Sequence, residues 1–249
     1  MGIAALARGV GRAMGFAAIV AVSSGELAWL AARHATLPSL ARADWLRRMC
    51  RRLVRLLSLR VRYRGDAAPS GVLVFNHVSY LDVVVLAARH PMLFVAKKEV
   101  RSWPVIGWLA AQAGTIFIDR SRRADVARVG SLMNAAVSQG VRVCIFPEGT
   151  STDGSRVLPF RTSLLEPMAA SGCLVTAGWV GYAIEDGCAQ LEVCYWGEMD
   201  FVAHFGLLLT KRRIFATVAY ASLATPPANR RQLGEELHSL VSNLSAARE

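Results

Sequence analysis

The chain has 249 residues, 53% hydrophobic and 19% charged, with 29 Lys and Arg against 18 Asp and Glu, a net charge of +11. That balance excludes intrinsic disorder, and a chain of this length can bury a core without staples. Five cysteines without a C-x-x-C pair exclude a disulfide framework, and no His/Cys cluster has metal-ligand spacing, so no metal site is expected.

In chain order, residues 13–32 are apolar except for Glu26, and Arg8, Arg12 and Arg33 flank them. Twenty such residues just span a hydrocarbon core of about 30 Å. Three readings stay open: an anchor that spans or re-enters the bilayer, a hairpin on the membrane surface, or a cleaved signal peptide. Over 45–59, Arg47, Arg51 and Arg55 recur at i+4 beside Arg48 and Arg52, opposite a stripe of Leu46, Met49, Leu53, Leu56 and Leu57. This predicts a basic amphipathic helix lying in an anionic headgroup interface. The alternative is a helix packed on the core with a solvated basic face. No nucleic acid partner is expected, because the arginines lack a recognition motif and interleaved aromatics. We divide the chain into a membrane-anchoring segment, 1–64, and a globular domain, 65–249.

The rest alternates short β-rich runs with helical patterns. Strands are predicted over 72–75, 93–96, 115–118, 142–146, 174–179, 191–196 and 214–220. Helices are predicted over 81–89, 105–113, 123–139, 163–171, 201–209 and 229–247. This is an α/β fold, with a mixed, largely parallel sheet flanked by helices. In such sheets, polar residues just past the strand ends are the default site positions.

Three loops fit that description. The first, Asn76-His77-Val78-Ser79-Tyr80-Leu81-Asp82, follows a strand. His77 suits proton abstraction from an alcohol, and a carboxylate on its other ring nitrogen fixes the tautomer. His77 and Asp82 meet only if His77 sits in the loop and Asp82 in the first helical turn, with Ser79 as N-cap. The same residues also read as a capping box, Ser79-x-x-Asp82. The second loop ends a strand in Asp119-Arg120, where Arg120 either grips a phosphate or forms a surface ion pair. The third, Phe146-Pro147-Glu148-Gly149-Thr150-Ser151, offers backbone N–H groups to an anion.

The three blocks together resemble the glycerolipid acyltransferase family. Its N-H-x4-D block matches Asn76, His77 and Asp82; its G-x-[IV]-F-x-[DR]-R block matches Gly114, Phe117 and Arg120; its F-P-E-G-T block matches Phe146 to Thr150. The resemblance implies His77 as base, Asp82 as its orienter, and a substrate site including Asn76, Ser79, Arg120, Glu148, Gly149 and Thr150. It implies no cofactor beyond the acyl donor, acyl-CoA or acyl-carrier protein, a lysolipid acceptor, and a place on the cytoplasmic face of the inner membrane. Lysophosphatidate is the first acceptor, with Arg120, Arg161 and Lys97 as cations for its phosphate. Ser151 stands where lysophosphatidate-specific members carry Arg, and the fourth block near 174–178 lacks the usual proline. A lyso-ornithine lipid is therefore the alternative acceptor, and a non-catalytic anionic-lipid-binding module the alternative of another class.

Overall fold

Alternation within one strand sets the architecture. In β2 (Val72–Phe75), Val72 and Val74 bury on one face of the sheet and Leu73 and Phe75 on the other. A strand buried on both faces needs helices on both sides. The computed structural model, which describes residues 2–119, 121–223 and 225–247, has that arrangement. With β1 (Leu59–Arg64), β3 (Met92–Lys97), β4 (Ile116–Ile118), β5 (Arg142–Ile145), β6 (Val175–Ile184) and β7 (Ile214–Leu223), the sheet order is β1-β7-β6-β2-β5-β3-β4. Neighbours are parallel except β6 with β7, which is the mixed, largely parallel sheet expected.

Leu73 and Phe75 share a core with α1 (Ile3–Arg33), α2 (Ser39–Leu56), α3 (Leu81–Arg89) and α8 (Phe201–Leu209). Val72 and Val74 face α5 (Arg123–Ser138), α6 (Glu166–Ser171) and α9 (Arg230–Ala246). After β2 the chain crosses through α3 to β3; after the adjacent β5 it crosses through α6 to β6, on the opposite face and in the opposite direction. The loops leaving β2 and β5 therefore part over a crevice at the strands' C-terminal ends.

The polar residues of α1 hold it along the domain. Arg8 donates to the Thr210 carbonyl (2.8 Å), and Arg12 to the Leu209 and Lys211 carbonyls and to Ser58 Oγ (2.9 Å). Those carbonyls end α8 and would otherwise lack donors. Farther along, the Ser23 carbonyl accepts from Trp45 Nε1 (2.7 Å), and Glu26 pairs with Arg52 and Arg48. Glu26, costly in lipid, is thus matched by α2. The outer face of α1 is apolar and exposed, through Ile3, Leu6, Val10, Met14, Val22 and Trp29.

Two expectations change. The apolar stripe of α2 (Leu46, Met49, Leu53, with Trp45) is buried in the core, so α2 takes the alternative role of a core helix with a basic outer face. The strand expected over 191–196 is instead one helical turn, α7 (Ala189–Glu192), followed by an irregular segment. Glu192 turns back to accept the Cys188 N–H (2.8 Å) and pairs with Lys211, which closes that turn. Leu191 is exposed while Val193 and Cys194 are both buried, so the apparent alternation was no sheet face. One edge of the sheet is β1, Leu-Arg-Val-Arg-Tyr-Arg, parallel to β7. Its period-two pattern is plain, but its arginines read as part of the basic helix before it.

Candidate active site

β2 ends at Phe75, and the next residue extends its ladder with a side chain. Asn76 Nδ2 donates to the Val180 carbonyl (2.9 Å) and Asn76 Oδ1 accepts the Val180 N–H (2.8 Å). Asn76 is buried, and both ends of its amide are spent on β6. Its place is in the frame of the site, beneath His77.

The third loop grips the His77 backbone on both sides. The His77 N–H donates to Glu148 Oε1 (2.8 Å), and its carbonyl accepts the Thr152 N–H (2.9 Å). Glu148 Oε2 accepts the Leu158 N–H (2.9 Å), so this 3% exposed carboxylate ties the first loop to the third. Burial pushes the Glu148 carboxyl up, against the two N–H groups that favour its charge. The His77 ring stacks on Phe146, centroids 4.2 Å apart.

His77 and Asp82 meet, and Asp82 also accepts the Ser79 N–H, half of the expected capping box; the N-cap of α3 is Tyr80, not Ser79, and makes no side-chain cap bond. Asp82 opens α3, and Oδ2 accepts His77 Nδ1 (2.7 Å) together with the backbone N–H groups of Val78 (2.8 Å) and Ser79 (3.0 Å). Oδ1 accepts the Tyr182 hydroxyl (2.8 Å). Ser79 is buried and its Oγ donates to the Val193 carbonyl (2.7 Å), away from the dyad. With Nδ1–H held by Asp82, Nε2 has the lone pair and no partner among the described residues. Such a nitrogen accepts a proton from an alcohol.

A cavity of about 290 Å³ begins at His77. Its body is apolar, between α2 (Leu46, Met49, Leu53), α3 (Leu81) and α4 (Ile106–Gln112; Leu109). Tyr80, Trp103, Tyr195, Phe201 and Phe205, all partly exposed, form its aromatic side. Lys97, Thr115, Gly149, Thr150 and Ser151 also line it. The Gly149 N–H is already spent on the Phe146 carbonyl (3.1 Å), whereas those of Thr150 and Ser151 have no acceptor among the described residues. Arg161 is exposed and outside the lining, its backbone held by Pro147. Arg120 lies outside the described residues. Its neighbour Asp119 pairs with Lys98 (2.6 Å) and accepts from Ser121, which hold its carboxyl down at about 2.

A His–Asp dyad over an apolar slot, beside free backbone donors, suits acyl transfer to a hydroxyl, and comparison with known proteins bears this out. Residues 60–180 match the family described as Acyltransferase. A lyso-ornithine lipid O-acyltransferase of Pseudomonas aeruginosa is 34% identical over 200 residues, 78% of this chain and 76% of that one. The chain belongs to the acyltransferase family. A 1-acyl-sn-glycerol-3-phosphate acyltransferase of Neisseria gonorrhoeae is 38% identical over 120 residues, 48% of this chain and 47% of that one. The crystal structure of the 1-acyl-sn-glycerophosphate acyltransferase of Thermotoga maritima superposes with a TM-score of 0.61 over 97% of this chain and 98% of that one, at 18% identity. That likeness concerns the fold.

Sequence reasoning found the dyad of this acyltransferase and missed Tyr182, which reaches it from a strand 100 residues away. No spacing signal links residues that far apart.

Proposed function

We propose that the protein moves a fatty acyl chain from a thioester, acyl-CoA or acyl-carrier protein, to the free hydroxyl of a lysolipid. The observation that carries this is the unpartnered Nε2 of His77 at the head of an apolar slot. His77 takes the hydroxyl proton as the oxygen attacks the thioester carbonyl, and Asp82 stabilises the imidazolium; the tetrahedral intermediate then collapses with cleavage of the C–S bond, and the departing thiolate takes the proton back from His77 and leaves as the free thiol of the donor. The N–H groups of Thr150 and Ser151 are the donors for the tetrahedral oxyanion. Transfer is direct. Ser79 Oγ is turned away, Cys144 and Cys194 are buried, and burial first pushes the Cys194 thiol up to about 12.

The membrane side is the apolar outer face of α1 and the aromatic side of the cavity, beside which Val105, Trp108 and Val202 are exposed. A lysolipid enters from there with its chain in the slot, and the reaction takes place on the cytoplasmic face of the inner membrane.

The polar end favours the zwitterionic acceptor, a lyso-ornithine lipid, over lysophosphatidate. Burying a phosphate dianion calls for more than one cation. Lys97 is the one cation lining the cavity among the described residues, and one cation matches one carboxylate. The test is kcat/KM for both acceptors in a thioester-release assay, with wild type, Lys97→Ala and Arg161→Ala. Lyso-ornithine lipid is expected to be the better acceptor, with Arg161→Ala indifferent. Preference for lysophosphatidate, lost in Arg161→Ala, would restore the phosphate acceptor. Absence of acceptor-dependent release with either would favour a lipid-binding module.

A further inference from the structure

The two oxygens of Asp82 keep unequal company. Among the described residues, Oδ2 accepts three N–H groups, whereas Oδ1 has the Tyr182 hydroxyl alone. Asp82 is fully buried and makes no contact with bulk water. We infer that Tyr182 is a positioning residue of the acyl transfer: its hydroxyl fixes the rotation of the Asp82 carboxylate and draws charge to Oδ1 that Oδ2 would otherwise present to His77. This rests on the His77–Asp82 reading above.

The fold builds this contact at some length. Gly178 of β6 pairs with Phe75, the last residue of β2, yet β6 continues to Ile184. The overhang places Val180 against Asn76 and, two residues on, Tyr182 against Asp82. Residues two apart share a face, here the one toward α3. Burial, with the Asp82 charge, holds the Tyr182 phenol well above its usual value, so it stays a donor throughout the working range.

Among the described residues no neighbour duplicates it. Glu148, Cys144 and Cys194 feel the Asp82 charge, but the Glu148 carboxylate accepts two N–H groups and neither thiol bonds to Asp82. Tyr63, with Cys194, faces Tyr182, and its own hydroxyl is spent on the Val85 carbonyl (2.9 Å). Tyr63 is therefore a matched control, a second phenol bonded to α3 without touching the dyad.

Loss of the Tyr182 hydroxyl leaves Oδ1 buried without a donor. Charge gathers on Oδ2, the imidazolium is held more firmly, and a base that binds its proton too early works only at higher pH. The test compares Tyr182→Phe with Tyr63→Phe in the full-length, detergent-solubilised enzyme. Readouts are kcat, KM, the pH–rate profile, and the downfield proton NMR signal of His77 Nδ1–H. Tyr182→Phe is expected to lower kcat about tenfold or more. KM should hold, because Tyr182 does not line the acyl cavity. The acid limb should move to higher pH and the proton signal should shift. Tyr63→Phe should lower Tm and move neither.

An unmoved limb in Tyr182→Phe, with kcat no lower than in Tyr63→Phe, overturns the proposal. If Tyr182→Phe does not fold, 3-fluorotyrosine at 182 keeps the shape and strengthens the donor. The limb should then move to lower pH, and a stationary limb overturns the proposal equally. Full turnover by His77→Ala would strike the dyad reading itself, a separate outcome.

Discussion

One helix joins two histidine–aspartate pairs of nearly equal length, and only one of them is equipped for chemistry. Asp82 opens α3 and holds His77 at 2.7 Å; His90 closes α3 and holds Asp66 at 2.6 Å. Asp82 is fully buried under four donors, while the Asp66 side chain is 54% exposed and shared with Arg89. His77 lines an apolar cavity, and neither Asp66 nor His90 lines it. Distance therefore does not make a dyad. A carboxylate fixed on both oxygens and a nitrogen left facing space for substrate do.

The comparison breaks most sharply at its two aspartates. His77→Ala or Asp82→Asn is expected to lower kcat by about 10²–10⁴, the worth of a positioned proton acceptor. Asp82→Asn also sets an NH₂ among N–H donors at a buried site, so its Tm should fall as well. Asp66→Asn should leave kcat and KM as they are, since an exposed pair contributes under about 1 kcal/mol. Steady-state kinetics with the thioester-release assay decide this. Equal losses from Asp66→Asn and Asp82→Asn would erase the distinction between the two pairs.

The middle effect belongs to Glu148, which joins the loops after β2 and β5. Its two oxygens accept one N–H each, from His77 and Leu158. In Glu148→Gln one of those N–H groups meets an NH₂, and the expected cost is about 1–3 kcal/mol. That corresponds to a Tm loss of roughly 2–12 °C for a chain of this size. Turnover should fall with it, because the His77 backbone loses an anchor. Thermal melts and kcat measured together check this; an unchanged Tm would mean that the loops do not depend on the carboxylate.

The contrast between the pairs also explains what was legible in the sequence. Asp66 and His90 are 24 residues apart and carry no motif, whereas His77, Ser79 and Asp82 sit within six residues and imply their own geometry. The core strand β2 was readable as a short continuous apolar run, buried at every position, and α3 because its apolar period matches its burial. β1 was hidden because alternating arginines on an exposed edge look like the helix they follow. The partner of α2's stripe was undecidable, for an apolar helix face is the same whether it meets protein or lipid. Asn76 and Glu148 were seen as site residues, but their task, bonding backbone 104 and 71 residues distant, is set by strand order.

The smallest effect sharpens the comparison through pH. Burial and the nearby Arg142 and Arg89 charges lower the His90 value, and the Asp66 carboxylate only partly offsets them. A histidine depressed in the folded state contributes stability above its unfolded value of about 6.5, and that stability is lost as pH falls below it. For Asp66, burial raises the carboxyl, but the Ala67 N–H, His90 and Arg89 outweigh it and leave a net depression. Its contribution is likewise present at neutral pH and lost in acid, below the ordinary aspartate range. Wild type should therefore lose Tm between pH 7 and pH 5, and His90→Asn should lose less over the same interval. The difference should stay under about 1 kcal/mol, because the pair is solvent-exposed on the Asp66 side. His204, lowered by burial, and Glu148, raised by burial, remain in both proteins and contribute to the residual slope with opposite signs. Parallel wild-type and His90→Asn slopes would show that the second pair carries no pH-dependent stability.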